Sequence, residues 1–271
     1  MSYYLSSMLV LTLTLHACVE NSISPQNKDY NPNNNSFTNQ AEYSFPTLQD
    51  GSCSAYVNFD NLLVETTWDS NDINSRDVYS ACAVDNQEWM DRFSDNRVRL
   101  KCLSLKKHRT ELKEAQGDEK SLSEYKKMEY TAKFFNLPEA GVTIAQIHNR
   151  NPSVIRPYIR LFIDNDHRIK IRETLTGMTQ ETSVSYKTYT GMKYISGEDI
   201  QVTIWTGFQN TKELAQIRVA YKDQRFVTNL DLSNRPEWTP FSKDFYLKAG
   251  VYTGGNSKQA TVLYSKFDII H

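Results

Sequence analysis

The octapeptide Phe245-Tyr-Leu-Lys-Ala-Gly-Val-Tyr252 decides how this chain folds. Read with the two-residue period of a strand, Phe245, Leu247, Ala249 and Val251 form an apolar face. Tyr246, Lys248, Gly250 and Tyr252 form the opposite one. The first set suits a core. The second carries two phenols and an ammonium, and its glycine leaves space for a ligand to approach the backbone. A merely solvated face is richer in Thr, Ser and Glu. The stretch reads either as a sheet strand with the core beneath it and a binding surface above, or as a plain sheet strand with surface tyrosines. The rest of the chain must decide.

The same alternation recurs elsewhere. In Arg109-Thr-Glu-Leu-Lys113, residues Arg109, Glu111 and Lys113 share a face, with Leu112 opposite. In Val142-Thr-Ile-Ala-Gln-Ile-His148, Gln146 and His148 share a face, and Ala145 and Ile147 point to the core. Ile155 to Ile163 sets Ile155, Ile159, Leu161 and Ile163 against Arg156, Tyr158 and Arg160. Further strands are expected at 98–105, 129–135, 168–174, 200–206, 214–221 and 261–269. The charged segment 115–127 reads as a loop or short surface helix, and the polar segment 177–197 as a mobile lid over a groove or an inert surface loop. With no repeat and no long amphipathic helix, the pattern predicts an all-β chain: a β-jelly-roll sandwich of two antiparallel sheets with a concave substrate groove.

Composition bounds the function. Net charge is −1, so the chain as a whole has no bias toward nucleic acid. Aromatic content is 12%, with 16 Tyr, which suits a β protein that handles a flat or sugar-like ligand. The apolar run Leu9–Leu15 is too short to span a bilayer. It leads into Leu15-His-Ala-Cys18, which resembles a bacterial lipoprotein signal. Residues 1–18 are therefore expected to be a signal peptide, with any membrane attachment made only through a lipid at Cys18. Ordinary secretion is the other route, and either exports the chain.

Residues 19–50, rich in Asn, Ser, Gln and Pro, read as a disordered polar linker, and 51–271 as the folded domain. Of Cys53, Cys82 and Cys102, one pair is expected to bridge and one thiol to remain. No Cys-x-x-Cys or His-x-His spacing exists, and Asp69–Asn74 fails the calcium-loop pattern, so no metal is expected.

Taken together, Arg109-Thr-Glu-Leu-Lys-Glu114, Gln146-Ile-His148 and Tyr246-Leu-Lys-Ala-Gly-Val-Tyr252 resemble the three signature strands of the family-seven polysaccharide lyases, the alginate lyases. They fall in the family's order, and Cys53 to His271 is long enough for its single domain. Lys113 stands where the family usually has a second Arg, and Gly254 where it commonly has Gln. The resemblance implies β-elimination on the acidic polysaccharide alginate, without a cofactor, by a monomer.

The residue types suit that chemistry. The C5 proton of a uronate is hardly acidic while its carboxylate keeps its charge, so that carboxylate must be neutralised. Arg109 is the bidentate partner for it, Gln146 adds a hydrogen bond, and His148 stands beside them. Tyr252 is the proton carrier. A phenol ionises far above neutral pH, so a base role requires a neighbouring cation, and Arg109 and Lys248 are at hand. Glu111, Lys113, Tyr246, Lys248 and Arg160 are assigned to substrate binding. The alternative reading makes Lys113 and Lys248 solvated lysines, Glu111 a partner of one of them and Arg160 a surface residue outside the site. His108 and His167 lie outside the motifs and read as structural or exposed.

Within the family an Ile in the Gln-x-His motif goes with guluronate-containing blocks, so Ile147 tilts the expectation that way. Three rivals stand beside this one. They are an inactive carbohydrate-binding module, a lyase for another polyuronate such as glucuronan, and a glycoside hydrolase. The last needs two carboxylates flanking the bond, and Glu111 has no evident acidic partner in the sequence.

Overall fold

A computed structural model describes residues 57–271, apart from 58, 60–61, 68–75, 85–86, 105–107, 116 and 255–257. Residues 1–18 and 19–50, read as signal peptide and linker, together with Cys18, Cys53 and residues 69–74, lie outside the described residues. Strands appear in chain order as β1 (Leu62–Thr67), β2 (Arg76–Ser80), β3 (Met90–Arg92), β4 (Val98–Cys102) and β5 (Arg109–Glu114). There follow β6 (Lys126–Phe135), β7 (Val142–Asn149), β8 (Ile159–Ile163), β9 (Arg168–Thr176) and β10 (Val184–Lys193). The last are β11 (Asp199–Gln209), β12 (Lys212–Tyr221), β13 (Gln224–Asp231), β14 (Phe245–Tyr252) and β15 (Ala260–Ile270).

They form two antiparallel sheets. One has the order β10-β9-β8-β7-β14-β5-β1-β2 and the other β13-β12-β11-β6-β15-β4-β3. This is the sandwich architecture of a jelly roll, and β14 lies in the middle of the first sheet. Seven of its eight residues are buried, with only Tyr252 half-exposed. Leu247, Ala249 and Val251 join Val64, Leu112, Ile144 and Ile147 in the core. From the other sheet come Met128, Tyr130, Phe134, Val262, Tyr264 and Phe267. Each large side chain so buried contributes about 1.5–3 kcal/mol. Trp238, in a 3-10 turn at Pro236–Phe241, packs on Tyr158 and Phe245 and donates its Nε1–H to the Thr174 carbonyl at 2.9 Å. It pins the chain entering β14.

Two sequence expectations are corrected, and β13 is a strand not among those expected. The segment 177–197 is not a loop throughout: residues Val184–Lys193 form β10, paired with β9. As an edge strand it leaves Val184, Tyr186 and Tyr189 exposed, so no alternation marks it. Gln224–Asp231 is likewise a strand on the other sheet's edge. The strand expected from Ile155 begins only at Ile159, and Ile155 is exposed. Pro157 has no N–H to give, and the Ile155 and Arg156 N–H groups are taken by the Met178 carbonyl at 2.9 and 3.0 Å.

Cys82 is disulfide-bonded. Cys102 is free and buried, and burial pushes its thiol up to about 11. His108 is structural: it is fully buried, its Nδ1 accepts from the Leu103 N–H at 3.2 Å, and burial followed by Arg109 lowers it to about 4.

Gly250 explains the tight centre of the first sheet. It pairs with Glu111 on β5, and a Cβ there would lie 2.2 Å from the Thr110 carbonyl oxygen and 2.5 Å from the Glu111 Cα. The space expected above it for a ligand is therefore filled by Glu111. Gly250→Ala must push two backbones apart, and urea unfolding is expected to show a loss of about 1–3 kcal/mol. An unchanged midpoint would mean that β5 and β14 are less tightly seated than they stand here.

Candidate active site

The polar side chains singled out in the sequence converge on one face of the first sheet. On β14 and β5, Tyr252 pairs with Arg109, Gly250 with Glu111 and Lys248 with Lys113. On its other edge β14 pairs Lys248 with Gln146 and Tyr246 with His148 on β7, and β7 pairs Gln146 with Arg160 on β8. The β14–β7 register slips between Ala249 and Tyr252, a bulge of the kind that re-aims a side chain beside a site. It falls next to the one β14 side chain that emerges.

Beneath this surface lies a buried charge network. Glu111 accepts from Gln146 Nε2 at 2.6 Å and from Lys248 Nζ at 2.9 Å. Glu65 on β1, opposite Glu111 in register, accepts from Lys113 Nζ at 2.6 Å and lies 3.8 Å from the Arg109 guanidinium. Glu65, Glu111, Lys113 and Lys248 are all at most 6% exposed. Lys113, Lys248 and Glu111 are therefore engaged with one another's network below the surface, where a polymer does not reach them directly. Glu65 supplies the acidic neighbour that the sequence did not reveal for Glu111.

Burial pushes the Glu65 carboxyl up, but Lys248, Lys113 and Arg109 together outweigh it and hold the group well below the usual carboxylate range. A carboxylate so held is poorly suited to protonating a leaving group, and the Glu111 oxygens are occupied by Gln146 and Lys248. The pair does not make a glycosidase's acid and nucleophile.

Above the network the groups are partly accessible. Burial works against the Arg109 charge, and Glu65 and Glu111 more than restore it. Its guanidinium lies over the Tyr252 ring, 4.1 Å from the centroid, and that of Arg160 lies 5.7 Å away. The second phenol of β14 differs. Tyr246 is buried against His148 at 5.7 Å and under the Arg150 guanidinium at 4.4 Å. Burial, with Glu65 adding, pushes its phenol up to about 12. Arg150 is in turn ion-paired with Glu119 and bonded to the Glu114 and Ala115 carbonyls at 3.3 and 3.4 Å. Arg150, Glu119 and Glu65 were not singled out from the sequence.

Burial, reinforced by Lys248 and Arg109, holds the His148 imidazole well below its ordinary value, so the ring is neutral at neutral pH. Its Nδ1 is held by Asn149, accepting from the backbone N–H at 2.8 Å and lying 3.0 Å from the carbonyl oxygen. The two contacts belong to different tautomers. Accepting from the N–H puts the ring proton on Nε2, whereas donating Nδ1–H to the carbonyl leaves the lone pair on Nε2, and a base role at Nε2 requires the second. Asn149 is itself fixed by donating its side-chain N–H to the Phe241 carbonyl at 2.7 Å. Among the described residues no three His, Cys, Asp or Glu side chains cluster as metal ligands.

A two-sheet jelly roll that presents a guanidinium, an amide, a neutral imidazole and a phenol on adjacent strands has the equipment of an enzyme for acidic polysaccharides. A family model described as alginate lyase matches residues 58–271, and the chain belongs to that family of polysaccharide lyases. Among solved structures it is similar to alginate lyase A1-II', described as a member of polysaccharide lyase family 7. Identity is 13%, the match covers 80% of this chain and 96% of that one, and the TM-score is 0.61. It is also similar to alginate lyase AlyC3 (14% identity, 84% and 99% covered, TM-score 0.58). Alginate lyase PA1167 from Pseudomonas aeruginosa matches with 14% identity, 79% and 99% covered and a TM-score of 0.58. At such identities the likeness concerns the fold. None of the curated proteins matches the chain.

Proposed function

We propose that this chain cleaves alginate by β-elimination at the 4-O-glycosidic bond, preferring guluronate-containing blocks and leaving an unsaturated uronate at the new end. Support for the substrate comes from the neighbours: A1-II' has been crystallised with a GGMG substrate and AlyC3 with dimannuronate. The observation that carries the mechanism is the neutral His148, whose Nε2 has no partner among the described residues, on a strand adjacent to the Arg109–Tyr252 stack.

Arg109 and Gln146 neutralise the carboxylate of the sugar to be opened, which makes its C5 proton removable. A base takes that proton and the electron pair is held as the aci-carboxylate. The C4–O bond then breaks, the double bond forms between C4 and C5, and an acid protonates the departing oxygen. In guluronate the proton and the leaving oxygen lie on opposite sides of the ring, which suits His148 as base and Tyr252 as acid. In mannuronate they share a side, and Tyr252 serves for both. Ile147 is buried in the core, so any bearing it has on block preference is exerted through the placing of its neighbours Gln146 and His148. The leader ending at Cys18 supports export, as a secreted or lipid-anchored enzyme.

The test is ultraviolet absorbance of unsaturated product from polyguluronate, polymannuronate, mixed alginate and glucuronan, with Tyr252→Phe as control. The fastest rise is expected on guluronate-containing material. A rise on glucuronan alone would keep the chemistry and change the substrate. No rise on any polymer would overturn the proposal.

A further inference from the structure

One row of side chains crosses six strands in register. Lys187 on β10 faces Arg172 on β9, which faces Arg160 on β8, and the row continues through Gln146, Lys248 and Lys113. Its character changes at Gln146. On the β14 and β5 side the ammonium groups are buried and paired with Glu111 and Glu65. On the β8 to β10 side the cations have no ion pair among the described residues. Among those residues the Arg160 side chain has no ion pair or hydrogen bond, and its Nε is buried without a partner. Arg172 gives only its Nε–H, to Ser185 Oγ at 2.7 Å, and Lys187 is exposed.

Two clefts open along this side. One of about 290 Å3 is lined by Arg156, Arg160, Arg172 and Glu181, among others. The next, of about 250 Å3, is lined by Arg160, Arg172, Lys170, Lys187 and Asp164. The acidic groups present are already engaged, Glu181 with Arg156 and Asp164 with Lys170 and Arg168. Like charges directly opposite on neighbouring strands repel, and an unpaired, partly desolvated guanidinium is costly. Burial, with the flanking Arg172 and Arg109, disfavours the Arg160 charge, and Tyr252 and Glu111 offset it only in part. Among the described residues no carboxylate is ion-paired with any of these three adjacent cations.

We propose that Arg160, Arg172 and Lys187 form a ladder that takes successive carboxylates of the bound polyuronate, one per strand, as it leaves the catalytic groups toward the β10 edge. This rests on the alginate reading above. Adjacent strands are about 4.8 Å apart, of the order of the advance of one linked sugar, so strand register and polymer repeat can stay in step. The loss of a guanidinium–carboxylate contact is worth about a tenfold change in affinity, and that of an exposed ammonium contact about threefold.

The experiment measures the affinity of the Tyr252→Phe protein for saturated oligoguluronates of increasing length, by calorimetry, with and without Arg172→Ala or Lys187→Ala. Arg172→Ala is expected to weaken binding about tenfold once the oligomer reaches β9 and progressively less for shorter ones. The smaller loss from Lys187→Ala begins one sugar later. Both variants are expected to melt at or above the parent temperature, since each removes a repulsive charge. A loss that is equal at every length, or absent, overturns the ladder, as does a lowered melting temperature for Arg172→Ala. Because the readout is binding, absence of unsaturated product from the unsubstituted protein would count against the lyase reading and not against the ladder.

Discussion

Tyr252→Phe is expected to slow formation of unsaturated product about 10³-fold while leaving oligouronate affinity within about twofold. The substitution removes one oxygen and keeps the ring against which the Arg109 and Arg160 guanidinium groups rest. Under the proposed roles, binding through those cations is expected to survive and only the proton transfer to be lost. No neighbouring group can replace it. Tyr246 is buried beneath Arg150 with its phenol pushed up to about 12, and Glu65 is kept ionised by its cations. His148 is neutral and can take a proton, but the departing C4 oxygen still needs one from an acid. Initial rates at saturating polymer, compared with calorimetric affinity, separate the two effects. A variant that keeps more than about a tenth of the rate would remove Tyr252 from the reaction.

How far the sequence revealed this arrangement depended on what each strand packs against. β14 was legible because it is central, with apolar residues at every second position and polar ones between them. β5 and β7 were legible on the same ground, and the structure brings Arg109, Gln146, His148 and Tyr252 onto three adjacent strands. β10 was not, because an edge strand exposed along most of its length carries no burial period to read. β1 failed for the opposite reason. Leu62-Leu-Val-Glu-Thr-Thr67 is buried almost continuously, so nothing alternates. A lone carboxylate in such a run implies a cation from elsewhere, and this was the signal available for Glu65. Its partners Lys113 and Arg109 lie more than forty residues away and meet it only through the β1–β5 register. Gly250 shows a third limit. Its missing side chain was legible, but only the fold reveals that the space belongs to Glu111 and not to a ligand.

Glu65→Gln is expected to destabilise the protein by about 3 kcal/mol at neutral pH, because it leaves Lys113 buried without its counter-ion and loosens Arg109. The pH dependence separates charge from shape. The folded-state carboxyl lies well below its ordinary value, so its stabilising contribution is complete above about pH 4.5. That contribution is lost as pH falls through the lower, folded value. Urea midpoints of the parent and the variant should therefore differ most at neutral pH, hold that difference down to about pH 4.5, and converge only in stronger acid. A gap that persists unchanged at low pH would show that Gln fails by its shape. Activity should respond as well if, as proposed, Arg109 meets the uronate carboxylate in a fixed pose, since misplacing it would then sacrifice transition-state stabilisation of about 10²-fold. A variant that is less stable yet fully active would mean that Glu65 holds the sheet together without placing Arg109. Loss of both would tie the carboxylate missed in β1 to the same network that carries the chemistry.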